Sequence, residues 1–210
     1  MSIVNTLTLE SNRQIKINFD GGDRSSDTGL LLIKEFAAKI GFTKLIKKKF
    51  KTNDKAVRFH KDAENLLQII YQVISAYFQD DCADELTLDP VFQAILEKES
   101  LASQPTLSRF FNRMDEDTLI QFDDIDKNLR NIIYSIKWPE HVFLDLDSTL
   151  FGTYGKQEGE GFNFHYQEHG YHPLLCYDGL TGDLIKAELR DGTLYCSNGA
   201  DKFMKSIFQE

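Results

Sequence analysis

The sequence predicts an α+β protein in which a mostly helical region precedes a group of strands. Three observations carry this. Apolar residues recur at helical spacing through residues 28–41, 61–79 and 115–136. After Trp138-Pro139 that spacing gives way to short apolar runs bounded by Gly and Pro. Two of those runs flank the turn Asp178-Gly179-Leu180-Thr181-Gly182, which reads as a hairpin.

Taken in order, residues 3–19 look like two short strands around Ser11-Asn12, closed by Gly21-Gly22. Ser25-Ser26-Asp27 supplies N-cap candidates for the next helix, and Gly41 stops it. A second helical stretch covers about 42–50. The strongest amphipathic helix is 61–79, with Ala63, Leu66, Leu67, Ile70, Val73, Ile74 and Tyr77 on one face, read as core packing. The acidic run 80–85 reads as a loop or cap. Asp89-Pro90 and Ser103-Gln104-Pro105 each start a helix, with Pro at a tolerated first-turn position. The helix at 115–136 turns Leu119, Ile120, Phe122, Ile125, Leu129 and Ile132 inward. Beyond the strands, Gly199-Ala200-Asp201 opens a last helix that is still running at the end of the sequence.

Composition bounds the class. Hydrophobic residues make up 41% of 210, enough for a real core. No apolar stretch is long enough to span a membrane, and residues 1–18 lack the apolar core of a signal peptide. Three scattered cysteines without a C-x-x-C pair point to a reducing cytoplasm, away from a disulfide framework or a zinc site. The net charge of −9 disfavours nucleic acid until its distribution is read. Residues 44–61 hold Lys44, Lys47, Lys48, Lys49, Lys51, Lys55, Arg58 and Lys61 against the single acid Asp54. Such a segment either meets phosphates or is a solvated helix end. Thr106, Ser108, Arg109 and Arg113 project from the first turns of the helix after Ser103, where they can hydrogen-bond phosphates or enter a major groove; an ordinary capped helix explains them equally well.

The stretch His141 to Phe151 organises the rest. Val142, Phe143, Leu144, Leu146 and Leu150 surround Asp145, Asp147 and Ser148-Thr149, and the run reads as a buried strand. Alternation puts both aspartates on one face, about 7 Å apart. Buried carboxylates are costly unless hydrogen-bonded, protonated or holding a cation, so the pair points to a divalent-metal site. The bland alternative is one Asp capping the turn and the other solvated. The glycine-rich run 152–161 is not a phosphate loop, because it lacks both the spacing and a following helix. Three strands with a carboxylate on the first, then a helix, match the opening of a ribonuclease H-like domain.

Two families share the aspartate motif. Asp145-Leu146-Asp147-Ser148-Thr149-Leu150 resembles the first motif of haloacid-dehalogenase-type phosphatases, in which the first Asp is a nucleophile and the second a general acid/base. That family continues through parallel strands, whereas a hairpin follows here.

A longer resemblance is to bacterial insertion-sequence transposases with a DDE domain. It rests on Asp145-Leu146-Asp147-Ser148-Thr149, Gly155-Lys156-Gln157-Glu158-Gly159, Gly170-Tyr171-His172-Pro173-Leu174, Leu189-Arg190-Asp191-Gly192-Thr193 and Gly199-Ala200-Asp201. Earlier stretches, around Thr28-Gly29-Leu30 and Ser103 to Arg109, are similar to the same family, so nearly the whole chain is covered. The resemblance implies a helical DNA-binding region over 1–138 and the first part of a ribonuclease H-like catalytic domain over 139–210. It implies DNA transposition by metal-dependent strand cleavage and transfer, with Mg²⁺ or Mn²⁺ as cofactor. The partner is DNA carrying terminal inverted repeats, and a homo-oligomer is an allowed assembly.

Carried over by motif, the catalytic and metal-binding carboxylate falls on Asp147, with Asp145 as neighbour or alternative. Lys47, Lys48, Lys49, Lys51, Thr106, Ser108, Arg109 and Arg113 are the candidate DNA contacts, and Gln157, His172 and Arg190 candidates for the DNA side of the site. The family's second Asp and its Glu have no counterpart up to Glu210. The expectation is therefore a truncated, catalytically incomplete transposase that still binds DNA or persists as a non-catalytic remnant.

Overall fold

A computed structural model describes residues 6–19 and 26–208. The architecture is mixed α and β with antiparallel sheets, as the pattern of periodicities predicts. It divides into two compact units, residues 1–132 and 133–210, the division falling in the last turns of α7.

In the first unit, the two expected strands are β1 (Thr6–Thr8) and β2 (Lys16–Asn18), which pair as an antiparallel hairpin, and Leu9 and Ile17 enter the core. Gly21-Gly22 and Ser25 lie outside the described residues. Helix α1 (Leu30–Lys39) is preceded by Gly29 with no side-chain cap. Asp27 instead accepts a 2.8 Å hydrogen bond from the Tyr77 hydroxyl. Gly41, at φ +76°, ends α1 and leads into α2 (Phe42–Lys49), as a left-handed stop signal should.

Helix α3 (Asp62–Ile74) stops short of the 79 its periodicity allows. Ala76 turns left-handed at φ 65° and Tyr77 N–H bonds back to Gln72 O, which swings Tyr77 towards Asp27. The acidic run forms one turn, α4 (Cys82–Glu85). Helix α5 (Pro90–Leu96) is capped by Asp89, whose Oδ1 accepts from Val91 and Phe92 N–H, each at 2.9 Å. Helices α6 (Gln104–Phe111) and α7 (Glu116–Ile136) follow. Two apolar clusters hold these elements. One joins the hairpin, α1, α3 and α5 around Phe92; the other joins α2, α3, α6 and α7 around Ile46 and Phe110. On α7 the inward face is Phe122, Ile125 and Leu129, while Leu119 and Ile120 are exposed, contrary to the sequence expectation.

In the second unit, β3 (Leu144–Ser148), β7 (Leu174–Asp178) and β8 (Leu184–Glu188) form an antiparallel sheet in the order β3-β7-β8. Helix α8 (Ala200–Phe208) covers one face, where Phe203, Met204 and Ile207 pack on Leu144, Leu174, Cys176 and Ile185. A second sheet, β4 (Phe151–Gly152), β6 (Glu168–Tyr171) and β5 (Gly161–Asn163), was not legible in the glycine-rich run. Its glycines allow the close approach. A Cβ on Gly170 would lie 2.3 Å from Phe151 O, and one on Gly192 would lie 1.8 Å from Gly170 O. No helix among the described residues is long and apolar enough to cross a membrane.

Candidate metal and nucleic-acid sites

The structure corrects the premise for the aspartate pair. Among the described residues β3 is an edge strand, paired only with β7, and Asp145, Leu146 and Asp147 are all exposed. The apolar run misled because Leu144 alone of its residues reaches the packed cluster under α8, while Val142, Phe143 and Leu146 stay in solvent. The two carboxylates are therefore hydrated groups on one side of a strand, with no burial cost to explain.

Their setting is nonetheless ordered. Asp145 stands opposite Tyr177 and Asp147 opposite Leu175. Asp147 Oδ1 accepts from Ser148 N–H at 2.8 Å. At the far end of the strand Tyr166 Oη donates to Ser148 O at 3.0 Å, and at the near end Gly179 N–H donates to Phe143 O at 2.7 Å. Buried Asp178 receives Leu180 N–H at 2.9 Å and closes the β7–β8 turn against β3. Burial and the negative charge of Asp145 together push the Cys176 thiol upward. Tyr166 and Asp178 were not singled out from sequence; a Tyr in a loop and an Asp in a turn carry no distinguishing spacing.

His172 and Arg190 are buried and do not line a surface. Arg190 Nε donates to His172 O at 2.9 Å and its Nη1 to Asn198 O at 2.6 Å, while His172 Nδ1 meets Leu194 O at 2.7 Å. These two side chains tie the 191–199 loop to the start of β7. Gln157 is exposed.

The cationic segment spans the end of α2 and the irregular residues 50–61. Lys47, Lys48 and Lys51 are exposed, whereas Lys49 is paired with Asp124. Lys44, Lys47, Lys48, Lys51 and Lys55 are in no ion pair with a described residue. Arg113 is committed internally: it bonds Asp62 at 2.9 Å, lies 3.6 Å from Asp54 and donates to Arg109 O. Burial alone would raise the Asp62 carboxyl, but bonds from Thr52 and Arg113 bring it below its ordinary value. Asp54 is lowered by the Ala56 N–H and by Arg58.

Arg109 is exposed, and Thr106 shares a 3.2 Å contact with Ser103 Oγ. At the start of α6, Gln104 N–H already donates to Asp84 at 2.8 Å, so a negative charge meets this helix end. Of the residues proposed for DNA contact, Lys47, Lys48, Lys51 and Arg109 are thus the ones presented to solvent.

A family model described as transposase DDE domain group 1 matches residues 7–210. The chain belongs to that family. Its function is transposition, and its members generally use divalent metal ions and act on DNA. No curated protein and no solved structure matches significantly.

For a DDE transposase the donor chemistry of β3 fits one such ion. Two hard carboxylate oxygen donors on one strand face suit Mg²⁺ or Mn²⁺, which take one or two carboxylates and complete their shell with water and phosphate. Among the described residues no group of three His, Cys, Asp or Glu side chains is placed to hold a metal.

Proposed function

We propose that the chain binds transposon-end DNA through the cationic segment of its first unit and presents Asp147, with Asp145 beside it, to a divalent ion in its second. The observation that carries this reading is the position of Asp147: exposed on β3, next to Ser148, in a DDE family match that runs through it. The antiparallel β3–β7 pairing lacks the parallel crossover that the phosphatase reading requires, and so favours the transposase reading.

Each residue has a separate task. Asp147 is exposed, and Ser148 N–H donates to its Oδ1, leaving Oδ2 for a cation. Asp145 adds negative charge on the same face. A divalent ion bound there supplies charge neutralisation at phosphodiester oxygens and activation of an attacking hydroxyl. Lys47, Lys48 and Lys51 neutralise backbone phosphates without reading sequence. Tyr166, Asp178 and the Arg190–His172 brace hold the strands and the 191–199 loop in place. This β3–β7–β8–α8 order supports a ribonuclease H-like reading of the second unit.

A two-metal centre takes more ligands than the Asp145–Asp147 pair offers, so we read residues 1–210 as binding DNA without cutting it. The test is a Mg²⁺ or Mn²⁺ titration with labelled DNA carrying terminal inverted repeats, scored for binding and for strand cleavage. Binding without cleavage is expected. Cleavage lost on Asp147→Ala would keep the site and overturn the incompleteness; turnover of a phosphomonoester would overturn the assignment altogether.

A further inference from the structure

Between α2 and α3 the chain runs without regular structure from Phe50 to Lys61, yet its foot is tightly held. Thr52, itself buried, gives both its N–H and its hydroxyl to Asp62, at 2.9 and 2.7 Å. Asn53 Nδ2 bonds Asp115 and Asp117, at 2.7 and 2.9 Å. Gln121 pairs with the Lys51 backbone in both directions, at 2.8 and 3.1 Å. A loop anchored at this many points presents its apex in a defined place rather than as a disordered tether.

That apex carries apolar side chains into water. Val57 is 103% exposed and Phe59 72% exposed, two residues apart. Single exposed apolar residues are ordinary. These two stand among Lys51, Lys55, Arg58 and Lys61, and a cleft of about 320 Å³ beside them is lined by Lys47, Lys51, Arg58 and Lys61. The two acids of the cleft, Asp54 and Asp62, are occupied by Arg58, Arg113 and Thr52, and neither Lys47 nor Lys51 is in an ion pair with a described residue. An apolar tip ringed by cations, in a protein of net charge −9, complements a polyanion with an apolar interior. Duplex DNA is such a partner: phosphates outside, stacked bases within.

We propose that the 51–61 loop is a DNA wedge, Val57 and Phe59 entering a base step and kinking the duplex while Lys47 and Lys51 hold the flanking phosphates. Proteins that bend DNA insert apolar side chains in this way, most readily at pyrimidine–purine steps. The wedge rests on the DNA-binding reading above and adds to it a mode of recognition: deformability of the duplex.

The test uses the full chain and a mixed-sequence duplex rich in TA and CA steps, with a donor and an acceptor dye at its ends. Binding is followed by anisotropy and bending by energy transfer. Wild type is expected to bind and to raise the transfer. Val57→Ser/Phe59→Ser should abolish that rise while leaving the salt dependence of binding unchanged. Phe59→Leu, which keeps apolar bulk, should preserve bending. Lys47→Ala/Lys51→Ala should lower the slope of log K against log salt by about 2, one unit per phosphate contact. Wild-type binding without any change in transfer, or a double-serine variant that still bends the duplex, would overturn the wedge and leave DNA binding standing. No wild-type binding at any salt concentration would remove both.

Discussion

The carboxylates of Asp145 and Asp147 stand in solvent, and no buried contact of the sheet depends on either. Asp147→Ala should therefore change unfolding free energy by less than about 0.5 kcal/mol while removing the heat of Mn²⁺ binding in calorimetry. An equal loss from Asp145→Ala would make the two a joint ligand pair. Asp62 behaves in the opposite way, since it links Thr52 at the foot of the loop to Arg113 on the far side of α6. Asp62→Asn should cost about 1–3 kcal/mol in denaturant unfolding, because Arg113 loses its nearer charged partner and keeps only the 3.6 Å contact to Asp54. Bonds from Thr52 and Arg113 hold the Asp62 carboxyl below its ordinary value, so its contribution is present above the unfolded pKa and disappears as pH falls through the folded one. Acid titration of the wild type should then show stability falling below pH of about 4, with a smaller fall in the Asn variant. None of this was visible in the spacing of residues. Arg113 reads as a surface cation from sequence; only packing against Asp54 and Asp62 turns it inward.

At the scale of elements, local chemistry was the better guide. Asp89-Pro90 announces a capped helix start, and the Asp89 carboxylate accepts two backbone N–H groups there. Asp89→Ala should destabilise the protein by about 1 kcal/mol in thermal or denaturant unfolding. The β4–β6–β5 sheet gave no such warning, because its strands are short, polar and rich in glycine. What holds it is proximity: the backbones at Gly161, Gly170 and Gly192 approach too closely for a side chain. Gly192→Ala should therefore cost about 3 kcal/mol, read as a lowered unfolding midpoint. The α7 helix shows the converse error. Its apolar periodicity runs on through Leu119 and Ile120, but no described element of the first unit packs over them and they remain exposed.

For the whole molecule, charge placement decides more than charge total. Binding to DNA should weaken steeply with salt, and if Lys44, Lys47, Lys48, Lys51 and Lys55 all meet phosphates the slope of log K against log salt is about −4.5. Titrations over a range of salt concentrations check this directly. By itself the sequence determined the α+β class, the order of the main helices and of the β3, β7 and β8 strands, the family and the aspartate motif. Each of these rests on residue spacing and short-range chemistry, which the chain carries wherever it folds. Tertiary structure decided which faces are covered. It put β3 at a sheet edge, so that its aspartates are hydrated rather than buried; it turned Arg113 and Arg190 into internal braces; and it lifted Val57 and Phe59 into solvent. Exposure depends on what other elements pack against a residue, and those partners lie tens of positions away, beyond the reach of any local pattern.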